Sequence, residues 1–330
     1  MKLEILKCHG SGNDFILINE YERILFSEEQ RITLSQFLCD RKGVLGADGI
    51  LFFQKSEKAN GKMRMFNPDG SEAEICGNGL RCLGRFACEQ FGTNSVLIET
   101  LKGLSQIIKD HDIHKGVETY QAELSTVSLQ TQEIPILCHK PSLISQPLTA
   151  LSTRLKFTAV SMPNPHIVSI VDNISDRGKS FCGTKTFASI AELEQIGQKS
   201  NRLTTLFPNG VNVNFCQIVD ESSIYVRTYE RGVGLTQSCG SGMSASSLVS
   251  CLLGHHVFGK TINVYNQGGL VRCKPLVTNQ DHYSVFLSGN ATFIFSGMFD
   301  FSNFHFTVEC GKVFVDEIQN YEKFLTDYCT

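Results

Sequence analysis

The chain has 330 residues and a formal net charge of −3 at pH 7, with 42% hydrophobic and 19% charged residues. This length exceeds that of most single domains, so two domains with ordinary hydrophobic cores are expected. The slightly acidic balance excludes the basic field that nucleic-acid and anionic-membrane partners require, and no apolar run approaches the roughly 18–20 residues of a membrane span. We therefore expect a cytoplasmic protein that binds a small molecule, with no nucleic-acid partner and no membrane.

The 13 cysteines predict neither a disulfide scaffold nor a metal site. Their number is odd, and no secretion signal accompanies them. Cys76, Cys82 and Cys88 follow one another at intervals of six residues, unlike the close Cys-x-x-Cys pairs of zinc sites. Most of the cysteines are therefore expected to be small buried residues in a reducing compartment.

Strand-like and helix-like segments alternate along the first part of the chain. The strand-like segments are LEILKCHG (3–10), DFILINE (14–20), GILFFQK (49–55) and KMRMFN (62–67). Apolar residues at helical spacing predict one helix that opens at Ser27, in SEEQRITLSQFLCDRK, and a second that ends at Gly92, in GLRCLGRFACEQFG. The alternation indicates a mixed α/β or α+β fold.

Residues 108–150 mix polar strands with three prolines, and the domain boundary is expected in this interval. We predict an N-terminal domain of residues 1–135, completed by part of 290–330, and a C-terminal domain of residues 136–289. The predicted elements of the second domain are, in order, the strand FTAVSM, the helix IAELEQIGQKS, the strands VNVNFCQIVD and SSIYVRTYE, and the helix GMSASSLVSCLLGHH.

The two halves of the chain repeat one another. Arg227 and Cys239 each follow Arg64 and Cys76 by 163 positions, with no gap between them, and NDFILI and NPHIVSI form another matching pair at an offset of 151. Self-similarity of this kind predicts two copies of one structural unit.

A cysteine precedes Gly-polar-Gly in both halves, in CGNG (76–79) and CGSG (239–242), and a helix-like run follows each time. Helix N-termini bind anions through their backbone N–H groups, and glycine lets a ligand approach closely. The same field lowers the pKa of a cysteine thiol. Each motif can therefore combine a base with a carboxylate cradle, and two of them suit inversion at a Cα, in which one thiolate removes a hydrogen and the other thiol returns one from the opposite face.

The motifs HGSGNDF, GADG, MRMFNPDGSEAEICGNGLRC, MPNPH, FPNGVNVNF and YERGVGLTQSCGSG resemble, in order and position, those of the diaminopimelate epimerases, from residue 1 to about 300. The resemblance implies two pseudo-symmetric mixed α/β domains with the active site in the cleft between them, and neither cofactor nor metal. The implied reaction converts LL-2,6-diaminopimelate to meso-diaminopimelate in lysine and peptidoglycan precursor synthesis. The implied catalytic pair is Cys76 and Cys239.

Carried over position by position, the resemblance also implies substrate ligands. The substrate-binding amides would be Asn13, Asn67, Asn164 and Asn212. Glu230 and Arg231 would bind the distal amino and carboxylate groups, because an arginine suits a carboxylate and a glutamate suits an ammonium. The reacting carboxylate would be held by the backbone of Gly77, Asn78, Gly240 and Ser241.

Two positions depart from the family pattern: many relatives have Gln at Gly49 and Glu at Leu235. Substrate identity is therefore less constrained than reaction type, and a cofactor-independent racemase of histidine or glutamate is the alternative. A thiol-regulated binding protein is a rival from another class. The sequence leaves open which cysteine is the base for which stereoisomer, whether the protein is a homodimer, and what residues 105–150 and 301–330 contribute.

Overall fold

The computed structural model describes residues 2–43, 45–162, 164–175, 187–278, 282–300 and 308–329. Pro163 of the MPNPH motif and residues 301–307 of the C-terminal segment lie outside the described residues. The helices are α1 (Glu28–Leu38), α2 (Gly77–Phe91), α3 (Ile190–Arg202), α4 (Gly240–Leu252) and α5 (Val315–Cys329).

The strands up to residue 147 are β1 (Lys2–Gly10), β2 (Asn13–Glu20), β3 (Gly49–Gln54), β4 (Gly61–Phe66), β5 (Glu72–Ala73), β6 (Ser95–Thr100), β7 (Gly103–Lys109), β8 (Thr119–Val127) and β9 (Gln146–Pro147). The later strands are β10 (Lys156–Ser161), β11 (Pro165–Val171), β12 (Asn173–Ser175), β13 (Phe187–Ser189), β14 (Asn212–Asp220), β15 (Ser223–Glu230), β16 (Gly234–Thr236), β17 (Ile262–Asn266), β18 (Gly269–Thr278), β19 (His282–Asn290), β20 (Thr292–Asp300) and β21 (Val308–Val313).

The chain forms two compact units. The first unit consists of Met1–Glu123 together with Ser288–Thr330, and the second consists of Leu124–Leu287. The polypeptide passes from the first unit to the second within β8 and returns within β19.

The first unit is a mixed sheet in the order β21-β20-β1-β2-β3-β4-β6-β7-β8, with α1 and α2 on opposite faces. Alternate residues of the central strands explain this division, because successive strand side chains point to opposite faces. Phe15, Leu17 and Leu51 pack in one cluster with Leu80 and Leu83 of α2. Their neighbours along the strands pack in the other cluster, with Leu34 and Leu38 of α1; these neighbours are Ile16, Ile18, Ile50 and Phe52.

The second unit has the order β10-β11-β14-β15-β17-β18, with α3 and α4 on opposite faces of the sheet. The same alternation operates along β14. Val213 and Phe215 pack in one cluster with Leu193 of α3, whereas Cys216 packs in another with Leu248 of α4. Both faces of this sheet are therefore apolar, and one helix covers each face.

The two units repeat one strand pairing pattern, which confirms the internal repeat. β1 to β7 pair as antiparallel, parallel, antiparallel, parallel and antiparallel neighbours along β1-β2-β3-β4-β6-β7. The strands β10-β11-β14-β15-β17-β18 follow the same series, and the short β5 and β16 pair with equivalent strands. A longer connection between β11 and β14 than between β2 and β3 accounts for the two sequence offsets.

The helix α5, which no sequence pattern predicted, belongs to the first unit. Glu317 accepts two hydrogen bonds from Arg85 of α2, at 2.6 and 2.8 Å, and a third from the backbone N–H of Phe293 at 2.9 Å. Tyr321 packs edge-on against His9, with 4.4 Å between ring centroids. The C-terminal helix thus stabilises α2 and β1, the elements next to the first Cys-Gly-polar-Gly motif.

Candidate active site

Cys76 caps the N-terminus of α2. Its backbone is extended (φ −144°, ψ 112°), and its sulfur accepts a hydrogen bond from the backbone N–H of Gly79 at 3.4 Å. The N–H groups of the first helical turn carry a partial positive charge that favours an anion. Gly77 and Asn78, predicted to hold the reacting carboxylate, lie in this first turn. A thiol and an anion-binding helix end are therefore present at one place.

Two predicted substrate ligands, Asn13 and Asn78, have side chains beside Cys76. The Cys76 thiol donates to Asn13 Oδ1 over 3.8 Å, and Asn78 Nδ2 donates to the same oxygen over 3.3 Å. Asn13 donates from Nδ2 to Asp48 Oδ2 over 2.7 Å. Since the carboxylate only accepts, it fixes the Asn13 amide with its oxygen toward Cys76.

Asn67 occupies a tight turn. Its backbone N–H donates to Ser71 O at 2.8 Å, and its Nδ2 donates to Ser71 Oγ at 3.0 Å. The turn precedes β5 and leads the chain toward Cys76. These contacts account for a local structural role, and the substrate-binding role of Asn67 stays a prediction.

Cys239 caps α4 in the second unit in the same way. Its backbone is extended (φ −118°, ψ 106°), and its sulfur accepts from the backbone N–H of Gly242 at 3.4 Å. A Cβ on Gly242 would lie 2.4 Å from Asn214 Oδ1 and 2.8 Å from Thr228 Oγ1, which are both too close for a real contact. Glycine is therefore needed here for close packing of the helix end on the sheet.

The Cys239 thiol is much less acidic than its position at a helix end predicts. Burial raises the pKa of Cys239 well above its ordinary value, and the neighbouring Glu230 carboxylate raises this pKa further. Hydrogen bonds from Ser241 and the Gly242 N–H lower the pKa but do not offset these effects. The sequence-based expectation of a lowered pKa is thus wrong for Cys239, because the motif reveals the helix end but not the depth of burial.

His166 connects several of the predicted residues in the second unit. Asn214 donates from Nδ2 to Ile167 O at 3.1 Å, and the same nitrogen lies 3.1 Å from His166 Nδ1. His166 Nδ1 must therefore accept, which leaves the ring hydrogen on Nε2. His166 Nε2 lies 3.0 Å from both Asn164 Oδ1 and Ser241 Oγ.

The imidazole of His166 is neutral at ordinary pH. Burial, and then the positive charge of Arg231, lower the pKa of His166 to about 3, against a smaller opposing effect of the Asn214 contact. With its hydrogen on Nε2, the ring can donate to Ser241 Oγ, which lies 3.5 Å from Cys239 Sγ. His166 thereby orients the Ser241 hydroxyl next to the sulfur.

The side chain of Asn212 binds the backbone of Arg231. The Arg231 N–H donates to Asn212 Oδ1 at 2.8 Å, which turns Asn212 Nδ2 toward His166 Nε2, 3.4 Å away. The exposed Arg231 guanidinium donates to Asn209 O. Apart from Asn67, the predicted site residues thus form one group in each unit, around Cys76 in the first and around Cys239 and His166 in the second. These two groups are called the Cys76 half-site and the Cys239 half-site.

No group of three or more metal-ligating side chains occurs among the described residues. Within the same residues, none of the helices is long and apolar enough to cross a membrane.

The sequence model of the diaminopimelate epimerase family matches residues 5–127 and 158–294. The chain belongs to the diaminopimelate epimerase family. The matched ranges contain both cysteines and every other predicted site residue. The resemblance drawn from the motifs is confirmed, and with it an enzyme of the epimerase class.

Curated relatives carry the name of the same family. The diaminopimelate epimerase of Clostridium acetobutylicum is 44% identical over 329 residues, which are 98% of this chain and 94% of the relative. That of Listeria monocytogenes is 38% identical over 307 residues, 91% of this chain and 89% of the relative. Among solved structures, a PhzF-family phenazine biosynthesis protein of Bacillus anthracis matches with a TM-score of 0.62 at 15% identity, covering 90% of this chain and 99% of that one. This last likeness shows the fold alone, which is the diaminopimelate epimerase-like fold.

Three residues with no predicted role hold the half-sites of this diaminopimelate epimerase family member. Asp48 orients Asn13, Asn214 orients His166, and Arg81 donates to Asn78 Oδ1 at 2.9 Å. Asp48 lies in GADG, one of the motifs that carried the resemblance, so a signal was present. Asn214 and Arg81 sit within a strand and a helix, where local sequence does not distinguish them from structural polar residues.

Proposed function

We propose that this protein epimerises LL-2,6-diaminopimelate to meso-diaminopimelate with the thiols of Cys76 and Cys239 as the two proton-transfer groups. The observation that carries the proposal is the repeated N-cap: in each unit a cysteine sulfur accepts from the N–H of the second glycine of Cys-Gly-polar-Gly. Family membership supports the reaction. Relatives of up to 44% identity named for diaminopimelate favour this substrate over histidine or glutamate.

The proposed reaction inverts one Cα. One thiolate takes the α-hydrogen as a proton, and the electron pair left on Cα delocalises into the α-carboxylate. The other cysteine, as a thiol, then gives its proton to the opposite face of Cα. Backbone N–H groups at a helix N-terminus can stabilise the developing negative charge, at roughly 2.7–4 kcal/mol for a well-aligned donor.

The two thiols need opposite protonation states at the start of each turnover. Because burial and Glu230 raise the pKa of the Cys239 thiol, we infer that Cys239 carries its proton before substrate binds and is the acid for one stereoisomer. For the reverse direction Cys239 must act as the base, and it starts as the thiolate that remains after it has given its proton to Cα.

Substrate binding is proposed as the resemblance implied. Asn13 and Asn78 lie beside Cys76, and Asn164, Asn212 and Ser241 surround His166; these placements support their roles as ligands. Arg231 and Glu230 would pair with the distal carboxylate and ammonium, with Asn67 and the backbone of Gly77 and Gly240 as further ligands. We also propose a cytoplasmic location and a homodimer.

Epimerisation assays with purified protein test the proposal. Without added cofactor, the protein should convert LL-diaminopimelate to the meso form, and its kcat/KM for histidine and glutamate should be lower by several orders of magnitude. Cys76→Ala and Cys239→Ala should each nearly abolish turnover, whereas the matched controls Cys82→Ala and Cys138→Ala should retain it. Full activity in either of the first two variants would refute the two-thiol mechanism.

A further inference from the structure

Arg81 of α2 is a fully buried arginine next to the Cys76 half-site, with 0% of its surface exposed. Its Nη2 donates to Asn78 Oδ1 at 2.9 Å and to Ser11 Oγ at 3.2 Å. Its Nε donates to Asn290 O at 3.2 Å, and its Nη1 to Gly77 O at 3.5 Å. Two of these acceptors belong to Gly77 and Asn78, the residues directly after Cys76.

The fold makes room for this cation with glycine on either side. A Cβ on Gly289 would lie 3.0 Å from Arg81 Cζ, and a Cβ on Gly10 would lie 3.0 Å from Arg81 Nη2. These distances are tighter than nine in ten real Cβ contacts. The guanidinium is therefore held in one place, with its hydrogen bonds directed at residues around the N-terminus of α2.

Arg81 is one end of a hydrogen-bonded chain that leads to the Cys76 sulfur. A guanidinium only donates, so it fixes the Asn78 amide with Oδ1 toward Arg81 and Nδ2 toward Asn13. Asn78 Nδ2 then donates to Asn13 Oδ1 at 3.3 Å, and the Cys76 thiol meets the same oxygen at 3.8 Å. Asp48 fixes the other end of Asn13 at 2.7 Å, so each amide has one allowed orientation.

We propose that Arg81 is a positioning residue for the Cys76 thiol, acting through Asn78 and Asn13 and through its own positive charge. The proposal rests on the proposed role of Cys76 in catalysis. The hydrogen-bonded chain keeps the amide oxygen of Asn13 at the sulfur, where it accepts from the thiol and fixes its direction, while the buried charge favours the thiolate at the end of α2. Displacement of a reacting group by about 1 Å costs on the order of 100-fold in rate, so loss of this support should be visible in turnover.

The test measures alkylation of Cys76 by iodoacetamide against pH, with Cys239→Ala in the background and the modified peptide quantified by mass spectrometry. Arg81→Met should move the midpoint of the pH–rate profile upward by about one unit, because a nearby cation favours the thiolate. Arg81→Lys, which keeps the charge, should leave the midpoint close to the wild-type value. Arg85→Met is the matched control: Arg85 is also buried in α2 but is paired with Glu317 and Glu89, and its loss should leave the profile unchanged.

A second readout is kinetic, in the protein with both cysteines. Arg81→Met should lower kcat about 10- to 100-fold, and in an Asn13→Ala background it should lower kcat by much less, because both changes break the same chain. Should Arg81→Met fail to fold, Gly289→Ala takes its place: its methyl presses on the guanidinium without removing the charge, so kcat should fall while the alkylation midpoint stays.

Three outcomes would overturn the proposal: an unchanged alkylation profile in folded Arg81→Met, full additivity with Asn13→Ala, or wild-type kcat in Gly289→Ala. The alkylation profile does not depend on turnover. A protein whose Cys76→Ala variant stayed active would thus refute the proposed function, while the effect of Arg81 on the thiol would stand or fall separately.

Discussion

Gly242 and Gly79 occupy equivalent positions of the repeat, yet the structure predicts opposite responses to alanine. At Gly242 a methyl would lie 2.4 Å from Asn214 Oδ1 and 2.8 Å from Thr228 Oγ1. Asn214 is fully buried and bonded to Thr228, to Ile167 O and to His166, so it has no space to move aside. At Gly79 the nearest atom is Leu51 Cδ2 at 3.0 Å, the mobile end of a side chain, and the next lies at 3.6 Å.

The magnitude follows from these contacts. Displacing Asn214 breaks two or three hydrogen bonds at about 1 kcal/mol each, and overpacking adds about 1–3 kcal/mol. The helix propensity of alanine returns at most about 1 kcal/mol. Gly242→Ala should therefore lower the free energy of unfolding by roughly 3 kcal/mol, and Gly79→Ala should change it by less than about 1 kcal/mol.

The assay is urea denaturation followed by circular dichroism, with wild type and both variants under identical conditions. Gly242→Ala should also lower kcat, because Asn214 fixes His166 and His166 orients Ser241 beside Cys239. Equal stability of the two variants, or a Gly242→Ala protein as stable as wild type, would refute the packing argument.

Three further predictions concern the Cys239 half-site. Glu230→Gln should lower the pKa of the Cys239 thiol, because the Glu230 carboxylate raises this pKa. Iodoacetamide alkylation of Cys239, measured in a Cys76→Ala background, should then have a lower pH midpoint, and the exposed Glu221→Gln serves as the control. An upward shift of the midpoint would contradict the assigned effect of Glu230. Since burial lowers the pKa of His166 to about 3, its imidazole should show no titration between pH 5 and pH 8 by NMR, and a midpoint in that range would show that the ring is not held neutral. Arg231→Met should erase most of the kcat/KM advantage of diaminopimelate over histidine and glutamate, because a distal carboxylate would enter without a counter-charge; unchanged diaminopimelate turnover would instead indicate that Gly49 and Leu235 mark a different specificity.

Local signals in the sequence predicted much of the fold because the physics that sets them is local. Ser27 caps α1 with a capping box, and Gly92 ends α2 in the left-handed conformation (φ 64°). Cys76 and Cys239 cap α2 and α4, so the Gly-polar-Gly motifs begin helices as expected. The internal repeat could be recognised in the sequence because equivalent strands follow one another in the same order along the chain in both units.

Long-range packing decided what the sequence left unpredicted. Asn290 bonds Arg81 and Ser11 from more than 200 residues away along the chain, and no local pattern reports such a contact. The depth of burial also affects the pKa of a thiol and cannot be seen in a local motif. For this reason the pKa of Cys239 is raised although the residue caps a helix. The α5 helix docks through Glu317 and Tyr321 on residues that are themselves ordinary in sequence.

The central claim, that two different thiols serve the two faces of one Cα, is tested most directly by solvent labelling. LL-diaminopimelate is converted in deuterium oxide to low conversion, and deuterium at Cα is measured by mass spectrometry in the meso product and in the recovered substrate. Because each thiol carries a single exchangeable proton, the account predicts one deuterium in the inverted product and little in the unreacted substrate. Retention of the substrate hydrogen in the product, or equal labelling of product and substrate, would show that a single group serves both faces and would contradict it.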